Sequence, residues 1–177
     1  MNLDKNTPRL LGAAFLLQAV ASLVSGFILL EPLIVVGNIT ESMTKIADNA
    51  SQMRANIVGE LVTAIGIVLL ATLLYSVLKE QNKIIARWAF GLRIAEATIL
   101  AVSRISAFSL LYTSQEYVKA GVLDSSYFQT LGSLFYESME YAYTINMLFF
   151  SLGGLLFYYL LLESKYIPKL LSNTFAN

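Results

Sequence analysis

The sequence predicts an all-α fold, a polytopic integral membrane helical bundle with four transmembrane helices and amphipathic extracytoplasmic extensions. Three observations predict it. Four apolar stretches are each long enough to cross about 30 Å of hydrocarbon at 1.5 Å per residue. Only 14% of the residues are charged, against about 25% in an ordinary soluble domain, and mean hydropathy is +0.64. The Lys and Arg residues outside those stretches are shared unevenly between the two sides they would face.

The chain reads as a single transmembrane domain over residues 1–177, with spans at about 10–30, 57–78, 86–111 and 141–162. The first span carries no charge, and no small-residue cleavage site precedes it, so it reads as a retained helix. Thr7 before Pro8 fits an N-cap with proline at the first helical position. Gln18, Ser22 and Ser25 share one face of this span. Glu31-Pro32 then breaks or kinks the chain. Within residues 33–56, Ile39, Met43, Ile46, Ala50 and Met53 recur at helical spacing with Glu41, Lys45 and Asp48 between them. That pattern predicts an amphipathic helix lying on the membrane surface or extending the next span outward. Asn38-Ile39-Thr40 matches a glycosylation sequon, a three-residue pattern that chance readily supplies.

The second span holds one charge, Glu60, with Asn56 and Thr63 on the same side. KEQNK at 79–83 is a polar turn short enough to make spans two and three antiparallel neighbours. Residues 113–140 form the longest connection, in which Asp124-Ser125-Ser126 and Gln129 resemble a capping box that starts a helix at about Tyr127. If that helix runs without interruption into the fourth span, it must project from the bilayer. Pro168 in the polar ending disfavours a continuous fifth span.

Twelve Lys and Arg balance twelve Asp and Glu, so net charge points to no nucleic-acid partner. The absence of Cys and His removes disulfides, iron–sulfur ligation and Cys/His zinc sites, and no metal or cofactor is expected. Lys5, Arg9, Lys79, Lys83, Arg87, Lys165 and Lys169 fall on one side, against Lys45, Arg54 and Lys119 on the other. The richer side is expected to be cytoplasmic, placing both termini inside a multi-pass protein of the cell's inner (plasma) membrane.

The third span is the unusual one, because Arg93, Glu96 and Arg104 lie well inside it. A charge at that depth costs about 3 kcal/mol on insertion scales and faces protein or a wet cavity. Arg93 and Arg104 point within about 20° of each other, and Glu96 lies about 60° from Arg93. Ser103 lies close to Glu96 by the same geometry. Glu60, Glu137 and Glu140 should stand at heights similar to Arg104, and Glu137, Glu140, Thr144 and Ser151 share one face of span four. In a bundle these polar faces are expected to turn inward.

The candidate ligand-binding residues are therefore Glu60, Arg93, Glu96, Arg104, Glu137, Glu140 and Thr144, with no catalytic and no metal-binding residue. Three readings stay open. The first is an outward-facing polar intramembrane cavity that binds or translocates a small polar or amphiphilic ligand. An anionic or lipid-like head group would suit its two arginines. The second is a non-catalytic accessory or scaffold subunit whose buried charges only fix helix packing. The third is a carboxylate-dependent intramembrane enzyme with Glu96 or Glu60 as base, although no zincin, P-loop, nucleophile-elbow or kinase motif occurs. The expected partners are membrane lipids and a small amphiphilic ligand, with a second copy or another membrane subunit left open.

Smaller signals accompany these. The aromatic residues of 135–159 read as interface belts and packing residues. Gly153-Gly154 allows close helix approach, and Gly91 with Ala95 is a small-xxx-small pair. Arg87 with Trp88 suits an anchoring position at the membrane surface.

The runs GELVTAIGIVLLATLLYSVLKEQNKIIARWAFGLRIAEA, SQEYVKAGVLDSSYFQTLGSL and FSLGGLLFYYLLLESKYIPKLLS resemble the bacterial membrane-protein family catalogued as domain of unknown function 4386. The resemblance covers about Asn6 to Ser172, and its most specific pieces are Arg93-x-x-Glu96, Tyr127-Phe128-Gln129-Thr130 and the tail from Phe157 to Pro168. It implies a chain that continues past the Pro-x-x-Leu segment into further spans, so this sequence reads as either a naturally short member or a truncated one. The resemblance supports the fold and assigns no activity.

Overall fold

The computed structural model describes residues 7–120 and 125–164. Helix α1, Thr7–Leu23, continues through a widened π turn, Val24–Leu30, and a tight 3-10 turn, Glu31–Leu33, that holds Pro32. The backbone becomes extended at Ile34, so Glu31-Pro32 does end the first span. Asn38 Oδ1 then accepts a hydrogen bond from Glu41 N at 3.1 Å and starts α2, Ile39–Asp48. The sequon asparagine is thus a helix cap, which satisfies one of the orphan amides at the helix start.

The remaining helices are α3, Ala50–Leu78, α4, Lys83–Ala120, and α5, Ser125–Glu163. Asn82 Oδ1 accepts from both Ile84 N and Ile85 N at 3.1 Å, so the KEQNK turn closes and α4 leaves antiparallel to α3. Arg9–Leu33, α3, α4 and α5 are long and apolar enough to cross a membrane. The 38 residues of α4 and 39 of α5 give lengths near 57 and 58 Å, about twice the hydrocarbon thickness. Helix α5 is therefore the uninterrupted one anticipated from its sequence. The long connection expected over 113–140 is helical instead: α4 runs on to Ala120 and α5 begins at Ser125. Asp124 of the expected capping box lies outside the described residues.

A seven-residue rhythm explains why α4 and α5 pair over such a length. Ala86, Arg93, Leu100, Ala107 and Ser114 are buried along α4, and Gly132, Met139, Asn146, Gly153 and Leu160 along α5. That spacing keeps one seam of each helix turned toward its partner. The spans otherwise pack in chain order, α1 on α3, α3 on α4 and α4 on α5, while α3 and α5 meet only marginally. The result is an open row with α4 inside it.

Helix α2 turns the apolar face read from its sequence toward protein. Met43 and Ile46 are fully buried against Leu33, Met53, Ile57, Leu110, Leu111 and Met139. Its apolar face fills a protein core between the ends of α3, α4 and α5. Residues 50–56 do extend span two outward, as the start of α3. Helix α1 and the π turn keep a broad apolar face outside the fold, with Phe15, Leu16, Val20 and Phe27 more than half exposed, as a lipid-facing span requires.

Candidate functional site: two polar levels on the central helix

Arg93, Glu96 and Arg104 all lie buried on the inner side of α4, so the charged stripe faces protein. At the deeper level Arg93 Nη1 lies 2.8 Å from Glu96 Oε2, one turn along the same helix. The guanidinium also sits over the Phe150 ring of α5, 5.1 Å from its centroid, where the negative ring face attracts it. A Cβ on Gly153 would stand 3.0 Å from Arg93 Cδ and 3.1 Å from Cγ. The missing side chain there is what lets the α5 backbone rest on the arginine stem. Gly153→Leu is therefore expected to push the helices apart at a cost of about 1–3 kcal/mol, with Gly153→Ala milder. Thermal unfolding midpoints in mild detergent measure both, and equal midpoints for the leucine variant and parent would contradict the contact.

Asn146 completes this level. Its Nδ2 donates to the backbone oxygen of Glu96 at 2.8 Å from a buried position on α5. Interhelical amides of this kind hold membrane helices together where no water competes. Sequence reasoning passed over Asn146. Its place on the seven-residue series Gly132, Met139, Asn146, Gly153 is the signal that marks it.

At the outer level Arg104 is held by its neighbour, with Nη2 2.9 Å and Nε 3.2 Å from Ser103 Oγ. Ser103 thus serves Arg104 and not Glu96. The hydroxyl donates in turn to Leu100 O at 2.7 Å. Glu60 on α3 is half-buried and within electrostatic reach of Arg104, but the two form no short ion pair. Asn56, one turn before Glu60, donates through Nδ2 to Ser25 O of the widened turn at 2.8 Å, and Gln52 Nε2 reaches Leu29 O at 2.9 Å. Helix α3 thereby satisfies carbonyls of the π turn that would otherwise meet hydrocarbon. Gln18 and Ser25 do face α3, through Gly66 and Gly59, while Ser22 is exposed.

The carboxylates of span four are placed differently from expectation. Glu137, Glu140, Thr144 and Ser151 are exposed on α5, and the Thr144 and Ser151 hydroxyls donate to their own helix at Glu140 O and Met147 O. Neither glutamate approaches Arg104. The cause is the open row: with α5 at its edge and barely touching α3, the face carrying these residues has no helix to turn toward. The Gly91–Ala95 pair likewise makes no helix contact at Gly91, where an added Cβ would meet nothing within 4 Å.

Two surface grooves flank the seam. One, of about 460 Å³, is lined by Arg87, Trp88, Gly91 and Phe149 among others. The second, of about 490 Å³, lies among Phe108, Tyr112, Tyr127 and Phe135. Neither is lined by Glu60, Arg93, Glu96, Arg104, Glu137, Glu140 or Thr144. Among the described residues no cluster of three acidic side chains is arranged to hold a metal ion.

Four long apolar helices packed by buried charges and small residues make this a polytopic helical membrane protein. The chain belongs to the family described as a domain of unknown function, DUF4386, which matches residues 10–174. Neither a curated protein nor a solved structure matches the chain.

Proposed function

We propose that this chain is a non-catalytic accessory or scaffold protein of the membrane, in which the buried charges fix how the helices pack. The observation that carries this reading is the enclosure of the Arg93–Glu96 pair between Phe150, Gly153 and Asn146, away from both grooves. A pair closed off in this way specifies one register of α5 on α4, which an all-apolar seam would leave loosely defined. The preponderance of Lys and Arg at the end shared by the start of α1 and the α3–α4 turn supports placing that side in the cytoplasm of an inner-membrane protein.

A second reading is favoured at the outer level. Glu60 is half-buried, and Arg104 faces it without closing an ion pair, which leaves charge available for a small polar or amphiphilic ligand with an anionic group. Arg104→Leu separates the two. The packing reading expects a lower unfolding midpoint in detergent and the same effect of added dodecyl phosphate on both forms. A variant as stable as the parent that loses a dodecyl phosphate stabilisation shown by the parent would transfer the site to ligand binding. Density for an ordered anion beside Arg104, in protein purified from its own membrane, would decide the same way.

A further inference from the structure

We propose that the groove between α4 and α5 beside the Lys79–Lys83 turn seats one anionic phospholipid. Along α4, Ile84, Trp88, Gly91 and Ala95 follow one another at helical spacing and form a stripe about 16 Å long. Phe149 of α5 supplies the opposite wall. The floor is open at Gly91, because nothing occupies the space its missing side chain leaves. This is a furrow of apolar character on the outer surface of a membrane-spanning pair, and an acyl chain fits it better than a polar solute.

The mouth of the furrow has the opposite chemistry. Arg87 lines the furrow, and Lys83 is exposed one turn before it at the start of α4. Among the described residues neither enters a short ion pair, so both are available to a phosphate. Glu163, the acid at that end of α5, accepts a hydrogen bond from the Tyr159 hydroxyl at 2.8 Å, and Glu80 in the turn forms no short ion pair with Lys83 or Arg87. Trp88 is two-thirds exposed between mouth and furrow, the depth at which an indole marks the boundary of hydrocarbon and head groups. Basic pockets between membrane helices are a recurrent seat for anionic head groups. Charge complementarity at the mouth and an apolar furrow below it select a lipid over a soluble anion.

Native mass spectrometry of the detergent-purified chain, exchanged in turn with phosphatidylglycerol and phosphatidylcholine, tests this. The parent is expected to retain one phosphatidylglycerol in preference to phosphatidylcholine. Lys83→Gln and Arg87→Gln should each lower that preference roughly fivefold. Gly91→Leu projects into the furrow from a Cβ that meets nothing within 4 Å, and should lower retention of both lipids while circular dichroism stays that of the parent. Equal retention of the two lipids by the parent overturns the proposal. So does a Gly91→Leu variant that keeps its phosphatidylglycerol, since binding would then be surface attraction alone.

Discussion

Arg93→Leu is expected to destabilise the protein by about 3–5 kcal/mol, because it leaves the Glu96 carboxylate buried without its cation. The two groups touch at 2.8 Å, both side chains are almost fully enclosed, and Asn146 donates to the Glu96 backbone oxygen. Glu96→Leu should cost a similar amount for the complementary reason. The double variant Arg93→Leu with Glu96→Leu should recover most of the loss, since burying two apolar side chains strands no charge. Unfolding midpoints of the four forms in one detergent close the double-mutant cycle and isolate the pair's own coupling. Single variants as stable as the parent would mean that water or lipid reaches the pair, and the packing role would fall. A double variant no better than either single would point to Phe150 and Gly153 as needing the guanidinium itself.

How much of this was legible in the sequence differs from residue to residue. The charged stripe on α4 could be read because helical geometry alone puts Arg93 and Arg104 on one side, and bilayer cost forbids that side to face lipid. Helix existence was legible for the same reason. What hydropathy cannot give is which helices touch. Glu137, Glu140 and Thr144 were expected to face inward because a closed bundle was assumed, whereas α5 stands at the edge of a row. The seam that does face α4 is marked by Gly132, Asn146 and Gly153, small or amide residues that hydropathy scores poorly but a seven-residue count picks out. The length of α4 was underestimated for a related reason. Thr113, Ser114 and Gln115 read as the start of a loop, but Ser114 is buried on the same seam and donates to Leu110 O at 2.7 Å, so the helix continues.

The placement of α2 supplies the second large effect. Ile46→Ala is expected to cost about 2–5 kcal/mol, the range for opening a cavity at a fully buried isoleucine. Met43 lies so close to Gly132 of α5 that a side chain on that glycine would displace its thioether, which ties α2 to the projecting end of the α4–α5 pair. A helix resting on the bilayer would respond otherwise: its apolar face would trade lipid for lipid, and a single truncation would leave the unfolding midpoint nearly unchanged while weakening membrane contact. Thr44, exposed on the opposite face and bonded only to Thr40 O of its own helix, provides the matched control. Thr44→Ala should be neutral within about 0.5 kcal/mol, as surface substitutions generally are. Midpoints that separate Ile46→Ala widely from Thr44→Ala place α2 in the protein core. Midpoints that coincide would return it to the membrane surface and leave the outer ends of α4 and α5 without the cap that α2 provides.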